Sequence, residues 1–406
     1  MFKKEGSYMD KLRIDLLPNL YLKEDGCFDI DKVLNLSGKI AGVCYDKEGF
    51  KHLENEPIEK TNRRVDMTLN NGHHSVYGHT HISFNIQNIP KILAMVLNNE
   101  NEYNTSEKSA RYTEIKRGND SSITSLEEEL YNKWLDILQI EIKNKYGDVF
   151  NDSKIKKLAQ ENARYFVTVF MPTQMIYTTS LRQINYLAGF MLDYMRSANY
   201  SNEFESKLAD SMLEFVFELE RLGVLNDKLM TNDKNRSLSL FGKNLDKKEI
   251  HYGDNYSTVY QATFAYLAQA QRHRTLDYQM EILKDKQYFV PPIIEDSIYL
   301  TDEWLNDMRK LEDITVCGEL INIYETGSFD NFILKCKERL CSNAQLEIML
   351  QTRKTLDNYY NQLSENASLK KEDMMPYMRG ARCSFPDFKC RSDCGFKEGK
   401  TLVRKI

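Results

Sequence analysis

Gly72-His73-His74-Ser75-Val76-Tyr77-Gly78-His79, followed by His81-Ile82-Ser83-Phe84-Asn85-Ile86, is the stretch on which the fold reading turns. The second part alternates polar and apolar side chains, the period-two pattern of a half-buried strand. The first part puts three histidines within seven residues. Imidazoles there could ligate a metal, act as bases or donate hydrogen bonds. A zinc site would want a fourth ligand and a helical or hairpin frame. Neither is visible, so the expectation is a polar His turn beside a ligand, with a solvated turn as the plain alternative.

Outward from this stretch the chain reads mostly as helix. Residues 127–145 and 153–169 carry helical periodicity, 181–196 form a strongly apolar helix and 202–222 an amphipathic one. Residues 226–252 are charged and mark the best domain boundary. Beyond it, 258–274 reads as a buried helix, with further helical segments near 302–311 and 330–363. Upstream, residues 38–45 are small and apolar, a buried helix end or a strand. The divisions expected are a lead-in (1–26), a first repeat (27–235), a second repeat (236–378) and a Cys-containing tail (379–406). The repeats rest on order and spacing, since both halves run from an apolar segment through a polar Arg/Ser-rich loop into helices.

Composition narrows the function. With 406 residues the chain can hold two to three domains. Eight prolines and 18 glycines favour long helices. A net charge of −5 removes any bulk electrostatic case for a nucleic-acid polymer, so an anionic ligand would need a local arginine cluster. The longest apolar stretch, 184–195, is interrupted by Asn185 and Asp193, which argues against a membrane span. The eight cysteines form no regular framework, and the opening residues lack an apolar core. A reducing cytoplasm is the expected compartment. Cys383, Cys390 and Cys394 lack a close CxxC pair and a nearby histidine, so they read as plain thiols rather than zinc ligands.

Polar clusters on apolar segments mark candidate ligand contacts. Ser106-Glu107-Lys108-Ser109-Ala110-Arg111-Tyr112 offers hydroxyls and a guanidinium suited to phosphate, or is a solvated loop. Gln269-Ala270-Gln271-Arg272-His273-Arg274 closes an apolar helix with charge that would need an anionic partner if buried, or is a solvated helix end. Arg164, Arg182 and Arg339 stand alone on apolar helices, where the plain alternative is an internal ion pair. Asn343 follows Arg339 at i+4, on the same face of the expected helix.

Taken together these clusters resemble the flavin-dependent thymidylate synthase family, over most of residues 38–360. The family's GHxSxxEH turn matches at Gly72, His73, Ser75 and His79, with Gly78 in place of the Glu. Its RHR triplet is lost in the first half, as Asn99-Glu100-Asn101, and intact in the second, as Arg272-His273-Arg274 with Gln269 upstream. Its SxRY segment is intact as Ser109-Ala110-Arg111-Tyr112 and decayed at Ile282–Asp285. The family's AR matches Ala163-Arg164. Its second Arg is Arg182, preceded by Ser180 for an Asn. The Arg closing LxLR is Met191 in the first half and Arg339 in the second, followed by AQxEI at Ala344–Ile348.

The resemblance implies an α+β fold: two tandem copies of the family fold, each an antiparallel or mixed sheet flanked by long helices. It implies FAD-dependent reductive methylation of deoxyuridylate (dUMP) to dTMP, with methylenetetrahydrofolate and NAD(P)H as co-substrates. The site would be composed from both repeats. Ser109, Ala110, Arg111, Arg164, Gln269, Arg272 and Arg339 would hold dUMP. Ser75, Ser180, Arg182, His273, Arg274 and Asn343 would hold FAD. Arg272, Arg339 and His73 would assist the chemistry, and no metal would take part. The retained arginines could balance the roughly three to four negative charges of the two ligands. A homodimer imitating the family tetramer is expected. Two rivals stand beside this reading: a related flavin- and folate-dependent modification of another pyrimidine nucleotide, motivated by Gly78 and Ser180, and a non-catalytic nucleotide-binding or scaffolding homologue.

Overall fold

The computed structural model describes residues 11–109, 115, 122–231, 236–390, 394 and 400–406. The fold is α+β, with two antiparallel four-stranded sheets. Two compact units hold one sheet each: Met1–Lys108 with Pro172–Leu238, and Ser109–Met171 with Ser239–Ile406. Among the described residues no helix is long and apolar enough to cross a membrane.

The first unit is built on β1 (Arg13–Leu16), β2 (His81–Pro90), β3 (Asn104–Glu107) and β4 (Pro172–Ser180), in the spatial order β1-β2-β4-β3. The alternation read in β2 buries Ile82, Phe84 and Ile86 on one face. A bulge follows, where Asn88 takes a φ of 55°. The unit's helices begin with α1 (Ile30–Gly42), α2 (Phe50–Glu54), α3 (Ile58–Asn70) and α4 (Lys91–Leu97). The small, apolar 38–45 segment is the end of α1 and a 3-10 turn. Next along the chain come α5 (Ser125–Tyr146) and α6 (Asp152–Ala163), which belong to the second unit. The chain returns to the first with α7 (Leu181–Ser197), α8 (Glu203–Arg221) and α9 (Asp227–Met230). Ser180 caps α7 by accepting from the Gln183 amide at 3.2 Å. Asn185, the polar break in the apolar run, is buried and satisfied: it donates to Val224 O at 3.0 Å and accepts from Asn226 N at 2.7 Å. Gly189 lets α7 approach the chain at Met230, whose carbonyl oxygen would lie 2.3 Å from an added Cβ.

In the second unit, β5 (His251–Tyr252), β6 (Asn255–Thr263), β7 (Asp277–Ile282) and β8 (Leu320–Ser328) lie in the order β5-β6-β8-β7. Its later helices are α10 (Phe264–Ala270), α11 (Ile298–Arg309), α12 (Phe329–Arg339), α13 (Leu346–Asn361) and α14 (Lys371–Met374). Trp134 of α5, Phe166 and Trp304 of α11 form an aromatic core, with ring centroids 4.6–6.0 Å apart. The Trp134 indole N–H donates to Asp307 at 2.9 Å. Beside this core the 165–169 backbone pairs with 315–318: Gly318 N donates to Tyr165 O at 3.0 Å and Cys317 N to Val167 O at 2.8 Å. These contacts hold Tyr165 and Val167 to the segment that leads into β8.

Two helix expectations are corrected here. The helix expected from Thr258 starts only at Phe264, because residues 255–263 form β6, with Tyr256, Thr258, Tyr260 and Ala262 buried on one face. Alternating aromatic and β-branched residues favour that pleated surface. Thr263 ends the strand and caps α10, accepting from Tyr266 N at 2.9 Å. The segment near 330–363 is two helices, separated by a turn in which Cys341 N bonds Arg339 O and Ala344 N bonds Cys341 O. Asn343 lies in that turn, exposed, and does not share a helix face with Arg339.

The two sheets agree beyond their order. Asn104 pairs with Thr178 in one, and Asp277 with Thr326 in the other. Past the bulge in β2, Ile89 pairs with Thr173, as Ala262 pairs with Ile321. A serine, Ser180 or Ser328, caps the helix after the last strand of each. The eleventh residue of that helix is Met191 in α7 and Arg339 in α12.

Candidate functional site

A buried polar cluster in the second unit gathers residues from β6, α10, α12, α13 and the 3-10 turn that follows α6. Its centre is Glu347, in the first turn of α13. The carboxylate accepts three hydrogen bonds: Thr263 N at 2.8 Å, Thr263 Oγ1 at 2.7 Å and Tyr165 Oη at 3.0 Å. The Tyr165 oxygen in turn accepts from Gln345 Nε2 at 2.6 Å. Gln345 Oε1 accepts from Gln269 Nε2, also at 2.6 Å. The chain continues through the Gln269 backbone carbonyl, which accepts from Arg339 Nη2 at 3.3 Å. Arg339 Nε donates to His273 Nε2 at 2.7 Å. All of these side chains are buried.

α10 and α12 explain the placement. α10 closes at Ala270, and tight turns follow, with Arg272 N on Gln269 O and His273 N on Ala270 O. They turn His273 inward and leave Arg272 and Arg274 exposed. The expected i, i+3, i+4 helical face for Gln269, Arg272 and His273 is therefore absent. Arg339 is the last residue of α12, where its charge also complements the helix dipole.

Burial and the neighbouring Arg339 and Lys335 charges push the His273 imidazole down to about 2. It is neutral, and because its Nε2 accepts from Arg339, the ring proton sits on Nδ1. Burial raises the Glu347 carboxyl, opposed by its Thr263 and Tyr165 donors and the Arg164 charge. Lys335, one turn before Arg339, is buried against Glu325 at 2.7 Å, which also accepts from Tyr256 Oη at 2.6 Å. Burial lowers the Lys335 ammonium, and Glu325 opposes that.

Among the described residues, two polar atoms of the cluster lack a partner. Gln269, 5% exposed, has no hydrogen-bond partner at Oε1. Arg164, 6% exposed, donates from Nε to Glu161 O at 3.1 Å and has none at Nη2. Leaving such groups dry costs about 1–3 kcal/mol each, more when charged. One is an acceptor and the other a cationic donor, a combination that suits a polar anion carrying its own N–H or O–H.

Every described member of the expected dUMP set (Ser109, Arg164, Gln269, Arg272 and Arg339) belongs to this second unit. Ala110 and Arg111 lie outside the described residues. Of the expected flavin set, His273, Arg274 and Asn343 also belong to it, His273 being engaged with Arg339. Three residues central to the cluster carried no role in the sequence reading: Tyr165, Gln345 and Glu347. For Gln345 and Glu347 the signal was an amide and an acid set beside the apolar residues Leu346 and Ile348–Leu350; Tyr165 gave none.

Ser75, Ser180, Arg182 and His73 stand in the first unit. His73 and Ser75 are exposed. The buried histidine of the turn is His74, within hydrogen-bond distance of Tyr186 Oη (3.1 Å) and Leu69 O (3.2 Å). Ser180 is wholly buried as a helix cap. Arg182 keeps its Nε buried and unpartnered while its side chain is 32% exposed, and its Nη2 lies 3.7 Å from Glu102. A Cβ on Gly78 would stand 3.7 Å from the Arg182 guanidinium carbon, so an acid there would reach it. Among the described residues no group of three or more His, Cys, Asp or Glu is arranged to hold a metal.

Residues 32–213 match the family model described as thymidylate synthase complementing protein. The flavin-dependent thymidylate synthase of Pyrococcus furiosus is 23% identical over 154 residues, covering 36% of this chain and 60% of that protein. The chain thus spans less than two thirds of that relative. Among solved structures, a UMP/dUMP methylase, PolB from Streptomyces cacaoi bound with 5-Br dUMP, is 13% identical, covers 53% of this chain and 97% of its own, and superposes with a TM-score of 0.30. Over residues 32–213 this chain is therefore similar to the flavin-dependent thymidylate synthases.

Proposed function

We infer that the second unit binds dUMP and that the chain methylates it at C5, as a flavin-dependent thymidylate synthase. The observation that carries this reading is the pair of unmet buried atoms in the second unit, Gln269 Oε1 on the hydrogen-bonded network and Arg164 Nη2, whose charge acts on the network's Glu347 and Tyr165. Arg164 would hold an anionic or carbonyl oxygen of the nucleotide. Gln269 would accept from a nucleotide donor. Arg272, whose exposed side chain has no ion-pair or hydrogen-bond partner among the described residues, is available to the phosphate, where the resemblance would also put Ser109, Ala110 and Arg111. Arg339, held by His273 and the Gln269 carbonyl, would face charge developing on the pyrimidine. Neutral His273 keeps that guanidinium oriented without adding a competing charge.

FAD, when bound, would supply the hydride, NAD(P)H would reduce it, and methylenetetrahydrofolate would supply the carbon. The residues present fit a dinucleotide's anionic groups. On the first unit, Arg182 has an unpartnered Nε, and Ser75 is exposed nearby in sequence to Gly78. On the second, Arg274 is exposed. His73, exposed on its turn, is available to a ligand face.

The proposal extends to two tandem repeats, 27–235 and 236–378, with a tail at 379–406. Matching strand order and register support it. In that correspondence Glu100 takes the place of His273. It is fully buried and accepts from Arg236 at 2.5 Å, an internal ion pair where the other repeat keeps a ligand-facing cluster. Met191 likewise replaces Arg339. The repeats would then share the work of one site per chain, and two chains would form the homodimer.

An absorbance spectrum of the purified protein, with and without dUMP, tests this. A yellow protein whose flavin bands shift with dUMP, and which yields dTMP with folate and NADPH, is expected. A colourless protein that takes up neither FAD nor dUMP would sink the enzymatic reading. A different nucleotide product would favour the rival motivated by Gly78, which leaves Arg182 without the acid that turn would otherwise supply.

A further inference from the structure

We propose that Glu347, acting through Tyr165 and Gln345, fixes which end of the Gln269 amide faces the ligand, and so makes the site select a hydrogen-bond donor on the nucleotide. The inference rests on the reading of the second unit as a nucleotide site. The chain of bonds has one polarity. A carboxylate only accepts. Tyr165 must therefore give its hydroxyl proton to Glu347. The Tyr165 oxygen is then left as an acceptor, which only the amino end of Gln345 can meet. That turns Gln345 Oε1 toward Gln269, which must answer with its own amino end. Gln269 is left presenting Oε1, the unpartnered atom. Each amide assignment follows from the one before, starting at an ionised Glu347, the form that its three donors and the Arg164 charge favour.

The partner of Gln269 Oε1 is thus a donor: an imide N–H of the base or a hydroxyl of the sugar. Glu347, Gln345 and Tyr165 are positioning residues, since none offers an unmet atom of its own to the ligand. Their effect has an unusual signature. In Glu347→Gln, the Thr263 backbone N–H still holds the carbonyl end of the side chain. The new amino group then faces the Tyr165 and Thr263 hydroxyls. Tyr165 must give its proton to Gln345 instead, both downstream amides turn over, and Gln269 presents its amino end. The same pocket now selects an acceptor.

Calorimetric titration of the full chain against two ligand pairs tests this. dUMP and dCMP differ at base N3, a donor in one and an acceptor in the other, and in the opposite sense at position 4, so a preference in either direction within this pair reports on the base. dUMP and 3′-fluoro-2′,3′-dideoxyuridylate differ at the sugar, where the fluorine can only accept. The wild type should favour the donor by about tenfold or more in one pair. Glu347→Gln should erase or invert that preference in the same pair. Tyr165→Phe, which keeps the ring and its packing, should bring it near one, and it serves alone if Glu347→Gln does not fold. The affected pair identifies base or sugar. Ratios unchanged in the variants, with dUMP binding intact, would overturn the relay. A wild type that binds no dUMP would overturn the nucleotide reading beneath it.

Discussion

His273 sets the chemical character of the cluster at the residue scale. It is buried, neutral and an acceptor for Arg339, with its acidity pushed to about 2 by burial and nearby cations. In the unfolded chain the same imidazole titrates near 6.5. The folded pKa is depressed, so between about 2 and 6.5 the unfolded chain binds the extra proton. Stability from this group is complete above 6.5 and is lost as pH falls, by at most ~1.4 kcal/mol per pH unit. Thermal unfolding of wild type and His273→Gln at pH 7.5 and 5 should show a smaller loss in the variant. Equal losses would mean that the imidazole is not held neutral.

The same scale shows what the sequence made legible. Arg164, Gln269 and Arg339 stood out as polar groups on apolar segments, and the structure brings their neighbourhoods into one unit. Glu347 was visible within a recognised motif, yet its role was not. A carboxylate in a helix's first turn is ordinarily a dipole partner in solvent. What separates this one is a hydrogen bond from Tyr165, 182 residues away, which no local pattern reports.

Elements divide by whether a local pattern had competition. The β2 strand and the α7 and α8 helices follow their periodicity, each with a face set by burial. In residues 255–270 two patterns abut without a Gly or Pro between them. Only the Thr263 cap separates strand from helix. A similar short turn splits α12 from α13, and there the misreading moved Asn343 onto a face it does not occupy. Close packing of elements makes its own prediction at Gly189. Met230 O stands 2.3 Å from where a Cβ would go, and a backbone carbonyl in a packed turn cannot yield as a flexible side chain would. Gly189→Ala should cost about 1–3 kcal/mol despite alanine's better helix propensity, read as a lowered denaturant midpoint. A stabilised variant would show that α7 and the α9 turn are not in that contact.

For the whole molecule, segment 109–171 decides which residues share a unit. In sequence it lies within the family match, residues 32–213, yet it belongs to the compact unit built on the second sheet. Arg164 therefore joins Gln269 and Arg339 within one unit although the proposed repeats separate them. If the proposed repeats hold, that arrangement, with the ion pair of Glu100 and Arg236 at the matching place in the first unit, is what the proposed single site per chain would require. The sequence could show the complementary losses but not the exchange, because the contacts that fix it, such as the Trp134, Phe166 and Trp304 core, are all long-range.

The central claim is that this cluster binds a uracil nucleotide through Arg164. The most direct measurement is equilibrium titration of the full chain with dUMP, wild type beside Arg164→Ala. Saturable binding with one site per chain is expected, weakened about ten- to hundredfold by the substitution, as for a lost charged hydrogen bond. No binding by the wild type, or an affinity that Arg164→Ala leaves unchanged, would contradict it.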